Sequence, residues 1–385
     1  MLGWAQGVGI LTRGCAMSEA VPPPMEARRS EPDGRTEPRA YAALDLGTNN
    51  CRLLIASPTA RGFRVLEAFS RIVRLGDGLA HTGRLDTAAM ERALAALKIC
   101  ADRIRRRGAP PLRAVATQAC RSAANGADFI ARVEAETGLK LSIITPKEEA
   151  RLSVAGCVGL LDRDCEAAVV VDVGGGSTEL SWIDVSQFKY DPNRRPPHPA
   201  RLPIKAWLSV PIGVVTLADR FPEQDEGREA WFRAMVEEVK GQLARFDGAR
   251  DLDPVFKAGR AHLIGTSGAI TSLAGLHLGL DRYERAKVDG LWMTRQDCEV
   301  AAGTLMGMTA RQRASQPCIG PDRADLVLAG AAILQAVQEL WPCARVRVAD
   351  RGLREGLLMS LMSKPPKRRR RPRRSPHIAA SGTAS

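Results

Sequence analysis

Hydrophobic positions along the middle of the chain follow two alternating periods. Apolar residues run almost unbroken through 41–47 (YAALDLG), 51–57 (CRLLIAS) and 63–73 (FRVLEAFSRIV), with glycine turns between them. Short apolar runs bounded by turn residues predict strands. From Asp86 to Arg107 the period lengthens. Met90, Leu94, Leu97, Ala101 and Ile104 share one helical face, which predicts a helix. Strands are expected at 112–117 and 141–145, with a helix near 126–137 between them. Another helix should start at Thr145-Pro146, because proline suits a first turn and Glu148 and Glu149 suit its positive end.

The pattern then restarts. Residues 167–174 (AAVVVDVG) and 177–184 (STELSWID) predict a second strand pair about a glycine turn, and 185–205 reads as a long loop inserted in a hairpin. Helices are expected near 212–220, 227–246, from about 269, at 295–307, 324–340 and 352–363, with strands at 261–265 and 345–349. Such alternation predicts α/β layers. The partial likeness of the two halves predicts a duplicated fold with a cleft between lobes.

Composition refines this picture at the ends of the chain. Residues 18–40 are proline-rich and polar and read as a disordered arm. The apolar stretch 1–17 has no basic residue ahead of it and reads as a non-structural leader rather than a signal peptide, with Met17 or Met25 as alternative first residues. No apolar run reaches the roughly 18 residues of a membrane span. The nine cysteines form no Cys-x-x-Cys and no zinc-ligand spacing with histidine, which suits buried small hydrophobes in a cytoplasmic protein. The net charge of +13 is mostly a tail: residues 364–385 hold eight Lys and Arg and no acid, while residues 1–40 balance to zero. That tail reads as disordered, and its charge would attract polyanions, RNA included.

Five segments carry candidate chemistry. In Leu44-Asp45-Leu46-Gly47-Thr48-Asn49-Asn50 a strand delivers an aspartate into a tight turn, whose N–H groups and Thr48 and Asn49 side chains can face a phosphate while Asp45 holds a metal. Val171-Asp172-Val173-Gly174-Gly175-Gly176-Ser177-Thr178-Glu179 repeats that plan, and three successive glycines suit a chain that must approach a ligand closely. Gly265-Thr266-Ser267-Gly268 reads either as an anion site at a helix N-terminus or as an ordinary capped start. Of Glu148 and Glu149, about 100° apart on a helix, one should face the cleft. Arg121, just after a strand, reads either as a phosphate clamp or as a surface arginine. There is no P-loop, His-Glu-x-x-His or Gly-x-Ser-x-Gly sequence.

AALDLGTNNCRLLIA, VVVDVGGGSTELSW, LIGTSGAITSLAG and VADRGLREGLL together resemble the exopolyphosphatase / guanosine pentaphosphate phosphohydrolase family. RIVRLGDGL, ATQACRSAANG, IITPKEEARL and PDRADLVLAGAAIL support the resemblance in order, so that it spans about 41–360. It implies the actin, Hsp70 and sugar-kinase fold: two ribonuclease-H-like lobes, 41–145 and 146–349, with the last helix, 352–363, returning to the first. It implies Glu149 as general base and Glu179 as a second acid. Asp45, Asp172 and Glu179 would hold magnesium or manganese. Phosphate would be bound by Gly47, Thr48, Asn49, Arg121, Gly174, Gly175, Gly176, Ser177 and Thr178, joined by Gly265 and Ser267. The expected activity is metal-dependent release of orthophosphate from polyphosphate, guanosine pentaphosphate or both, with a homodimer as the candidate assembly. Some family members carry a large C-terminal helical extension; this sequence ends soon after the two common lobes, so that extra surface for very long polyphosphate is not expected. The alternatives are an ATP-dependent kinase or ATPase of the same superfamily, and a non-catalytic protein that tethers polyanions.

Overall fold

A computed structural model describes residues 40–60, 62–108, 110–188, 199–224 and 226–363. The N-terminal arm up to residue 39, the basic tail and residues 189–198 of the expected loop lie outside them. The strands form two sheets. The first has the order β3 (Gly62–Ile72), β2 (Asn50–Thr59), β1 (Tyr41–Leu46), β4 (Leu112–Ala116) and β5 (Leu141–Ile143). The second has the order β10 (Trp292–Thr294), β11 (Arg345–Ala349), β9 (Ala261–Thr266), β6 (Ala167–Val173), β7 (Thr178–Asp184) and β8 (Ile204–Val210). In each sheet the leading hairpin is antiparallel (β1–β2, β6–β7) and the next strand inward joins in parallel (β4, β9).

Strand alternation assigns each side chain to one of two faces. On β1, Ala42, Leu44 and Leu46 enter the outer core of the first lobe, built with the helices Thr87–Arg106 and Gly126–Thr137. On β6, Val169, Val171 and Val173 enter the outer core of the second lobe, which the helices Arg228–Leu243 and Val327–Leu340 cover. The opposite faces carry Ala43 and Asp45 on β1, and Ala168, Val170 and Asp172 on β6. Two helices stand against those inner faces, Pro146–Cys157 and Leu353–Met362. Leu357 and Leu358 of the last helix pack with Ala43, Leu54 and Val115 of the first sheet. The Pro146–Cys157 helix is shared. Its Leu152 joins that same cluster, while Val154 and Cys157 pack on Ala168, Val170 and Ile264 of the second sheet.

These two helices cross at backbone contact. A Cβ on Gly156 would stand 2.0 Å from the Gly352 carbonyl oxygen, and one on Gly356 would stand 1.9 Å from that of Leu152. Only glycine fits, and the clashing atoms are backbone that cannot rotate away. Gly356→Ala should therefore cost about 1–3 kcal/mol of stability, as overpacking does. The measurement is the urea midpoint, and an unchanged midpoint would show that the crossing opens freely.

The structure adds elements to the expected set. β8 occupies 204–210, so the loop after β7 ends earlier than the sequence suggested, and β7 and β8 do form the hairpin. Short helices appear at Gln118–Ser122, Asp253–Lys257 and Ala310–Ala314, and β10 is a three-residue edge strand. Elements this short carry too few residues to display a period. The 324–340 helix begins only at Val327.

Candidate active site

Between the sheets lies a cavity of about 600 Å³. Its walls include Asp45, the turns Gly47–Asn50 and Gly174–Ser177, Glu149, Asp172 and the Ser267–Gly268 helix start. Cross-strand register explains why the acids converge. Asp172 lies opposite Glu179 on β7 and Thr266 on β9, and Glu179 lies opposite Ser209 on β8. Asp45, at the matching end of β1, lies opposite Arg52. Glu149 reaches the same region from the first turn of its helix, where the Thr145 hydroxyl accepts from the Glu148 N–H. That turn decides between the two glutamates: Glu149 is 8% exposed and faces inward, whereas Glu148 points out to an ion pair with Arg113.

The two glycine turns abut. A Cβ on Gly175 would lie 3.0 Å from Thr48 Cβ and 3.1 Å from the Asn49 nitrogen. The Thr48 hydroxyl donates to Gln118 Oε1 at 3.2 Å, and a Cβ on Gly176 would stand 2.1 Å from that same oxygen.

Asp45, Glu149, Asp172 and Glu179 share this space, and each holds its proton more tightly than usual. Burial raises Asp45 to about 6, offset in part by Arg52 and Arg354. Burial and the nearby Asp172 raise Glu179 to about 7 against hydrogen bonds from Ser209 and Ser177. Asp172 is raised by burial, although Ser153 donates to it at 2.6 Å. Glu149 is raised by burial and by Glu179, and Arg121 opposes the shift. Crowded carboxylates out of water favour protonation unless positive charge arrives, so these four would readily take up a further cation.

Not every residue expected at the site faces it. The Thr178 hydroxyl is buried and donates to the Ile212 carbonyl oxygen at 2.6 Å, because alternation places it opposite to Glu179. Gly265 is likewise turned to the outer core, where a Cβ would meet Ile270 at 2.9 Å. Its small size serves packing beneath the turn. The Ser267 hydroxyl accepts from the Ile270 N–H at 2.9 Å, so it caps the Gly268–His277 helix at the cavity wall. Arg121 donates to Glu149 Oε2 at 3.1 Å and to the Ile144 carbonyl at 2.7 Å; its guanidinium is committed to the glutamate.

The cavity also holds cations that the sequence reading passed over. Arg52, Arg323 and Arg354 line it, and their guanidinium groups make no hydrogen bond or salt bridge among the described residues. Hairpin register was the available signal for Arg52, since a turn at 47–49 sets residue 52 opposite residue 45.

Two sheets of this topology about an acid-lined cleft define the actin-like fold class. Residues 54–365 match the Ppx/GppA phosphatase family, and the chain belongs to that family. Exopolyphosphatase 2 of Mycobacterium tuberculosis is 31% identical over 337 residues, spanning 83% of this chain and 98% of that protein. The solved Ppx/GppA family member of Aquifex aeolicus is 28% identical, with a TM-score of 0.66 over 84% of this chain and 97% of its own. An exopolyphosphatase structure from Cytophaga hutchinsonii, 24% identical, shares the fold at a TM-score of 0.71 over 84% of this chain and 98% of its own. Among the described residues no helix is long and apolar enough to cross a membrane.

Proposed function

We propose that this chain hydrolyses the terminal phosphoanhydride bond of inorganic polyphosphate, with Glu149 as general base. The observation that carries this reading is the setting of Glu149: buried, raised in proton affinity, oriented by Arg121 and lining the same cavity as the two glycine turns. A base must sit within reach of a water whose proton it takes, with an affinity nearer neutrality than a free carboxylate has. The glycine turns supply N–H groups for the phosphoryl oxygens, and Arg52, Arg323 and Arg354 suit the phosphates of the leaving chain. Phosphoryl transfer needs this positioning and charge balance more than covalent help.

Magnesium fits the donor set. Buried Asp45 Oδ1, Asn49 Oδ1 and Asn50 Oδ1 have no hydrogen-bond partner, and they are the hard oxygen donors such an ion takes. Among the described residues no three His, Cys, Asp or Glu side chains form a closed cage. Magnesium can be held by one or two carboxylates and substrate phosphates while it keeps several waters. Asp45 and Asp172 would hold it, with Glu179 alongside, and it would add positive charge at the phosphates. Manganese would use the same donors.

The test is orthophosphate release by purified protein, with and without magnesium, from long-chain polyphosphate, guanosine pentaphosphate and ATP. Polyphosphate should be turned over fastest, favoured by three unpaired arginines. Preference for guanosine pentaphosphate would reassign the substrate, preference for ATP would move the chain to the kinase or ATPase class, and no release from any would overturn the hydrolase. The pH profile gives a second check. Because Glu149 must be ionised to act, activity should fall as pH drops through its raised pKa. Arg121→Gln removes the charge that lowers that pKa, so the acid limb of kcat/KM should move to higher pH. A limb that stays put would mean that another group sets it.

A further inference from the structure

Arg74 is the one non-glycine residue with positive φ, 46°, among the described residues. A long side chain in the left-handed region is uncommon and persists only where its surroundings over-determine it. The surroundings here are specific. The N–H groups of Val73 and Arg74 both donate to the Asn49 carbonyl, at 2.8 and 3.1 Å, and the Gly76 N–H donates to the Thr48 carbonyl at 3.0 Å. Residues 73–76 are therefore stapled to the backbone of the first glycine turn. From the other side, Arg92 donates to the Val73 carbonyl at 3.0 Å and to the Arg74 carbonyl at 3.2 Å, and pairs with Asp77 at 2.9 Å.

Held in this way, the Arg74 side chain leaves its own lobe. Its two terminal nitrogens meet the two carboxylate oxygens of Asp325 at 3.0 and 3.1 Å, and one also lies 3.4 Å from the Asp322 carbonyl. Asp322 and Arg323 line the cavity, just ahead of the Val327–Leu340 helix. That segment is braced from behind by Arg313, which is fully buried. Arg313 donates to the Ala324 carbonyl at 2.8 Å and the Met308 carbonyl at 2.7 Å, and pairs with Glu223. A firm anchor in one lobe thus grips the turn that carries the phosphate loop of the other.

We propose that Arg74 is a positioning residue whose bidentate pair with Asp325 latches the lobes shut and sets the first glycine turn against the second. Arg74 touches no reacting atom in this scheme; it acts through Asn49 and Thr48. The pair is partly exposed, 35% and 49%, and exposed pairs are weak. A weak, geometrically exact contact suits lobes that must part to admit a substrate and release phosphate in each turnover. The role in turnover rests on the hydrolase reading above, whereas the latch itself does not.

The experiment combines kinetics with an interlobe distance. Asp325→Ala breaks the pair without touching the strained backbone, and Arg74→Asn breaks it with a residue that tolerates the left-handed region. Fluorophores at exposed Ala88 and Val300, one per lobe and introduced without cysteine chemistry, report the opening. Each variant should raise KM about two- to fivefold, the range an exposed pair commands, with the free protein more open and kcat little changed, because bound substrate closes the lobes again. The double variant should be no worse than either single, and the reversal Arg74→Asp with Asp325→Arg should restore the closed distance. Unchanged distances in both single variants, or losses that add in the double, would overturn the latch. If the wild type releases no phosphate from any substrate, the hydrolase reading fails, and the distances still decide the latch.

Discussion

Glu149→Gln should lower kcat by about 10²–10⁴-fold, the range for losing general-base help, while substrate binding changes far less. Glutamine keeps the shape of the side chain and can still meet Arg121, which lies 3.1 Å from Oε2, but it cannot accept a proton from water. The fold should tolerate the change. Glu149 sits among several acids, and Glu179 is the leading charge that raises it. Removing one negative charge relieves that repulsion, so thermal stability should hold or rise. Rapid-quench measurement of phosphate release in a single turnover isolates the chemical step from product release. A variant that stays within about threefold of wild type would remove Glu149 from the role of base. A variant that loses binding as well as rate would make it a structural member of the acid cluster instead.

Much of this site was legible in the chain because its parts are local. A hydrophobic run, an aspartate and a glycine turn occur twice, at 45 and 172, and each aspartate sits at the end of its strand as that pattern requires. The proline-led helix start placed Glu149 correctly as to turn. What escaped is non-local or depends on face. Thr178 and Glu179 are neighbours in sequence, yet strand alternation sends them to opposite sides of β7, and Thr178 ends on the Ile212 carbonyl. The same parity argument turns Gly265 away from the cavity. Both could have been excluded from the period of two alone. The reach of Arg74 to Asp325, across 251 residues of sequence, had no such signal. Neither did the crossing of Gly156 and Gly356, which depends on how two distant helices meet.

The second large effect is expected at a residue outside the motifs. Gly213→Ala should cut kcat/KM by about 10²-fold, the penalty for a displacement near 1 Å in an aligned site. Gly213 precedes the Val214–Arg220 helix, and its φ of −127° is open to any residue. Space is the constraint. A Cβ there would stand 2.4 Å from the Gly175 carbonyl carbon and 2.5 Å from the Gly174 oxygen. These are backbone atoms of the second glycine turn, so no rotamer relieves the clash. The turn is also tied to this helix by hydrogen bonds, from the Val214 N–H to the Gly174 carbonyl at 2.9 Å and from the Val215 N–H to the Gly175 carbonyl at 2.8 Å. Helix and turn must separate, and the turn is the thinner element. It has little room ahead, because Gly175 already rests on Thr48 and Asn49 of the opposite lobe. The displacement therefore falls on the N–H groups that would receive the phosphoryl oxygens, and a loss of donor alignment appears in kcat as well as KM. Steady-state kinetics beside a melting curve separates the causes. A large fall in kcat/KM with a melting temperature near wild type would locate the damage in the turn. Full activity would mean that the second turn moves freely and that its position is not what limits the reaction.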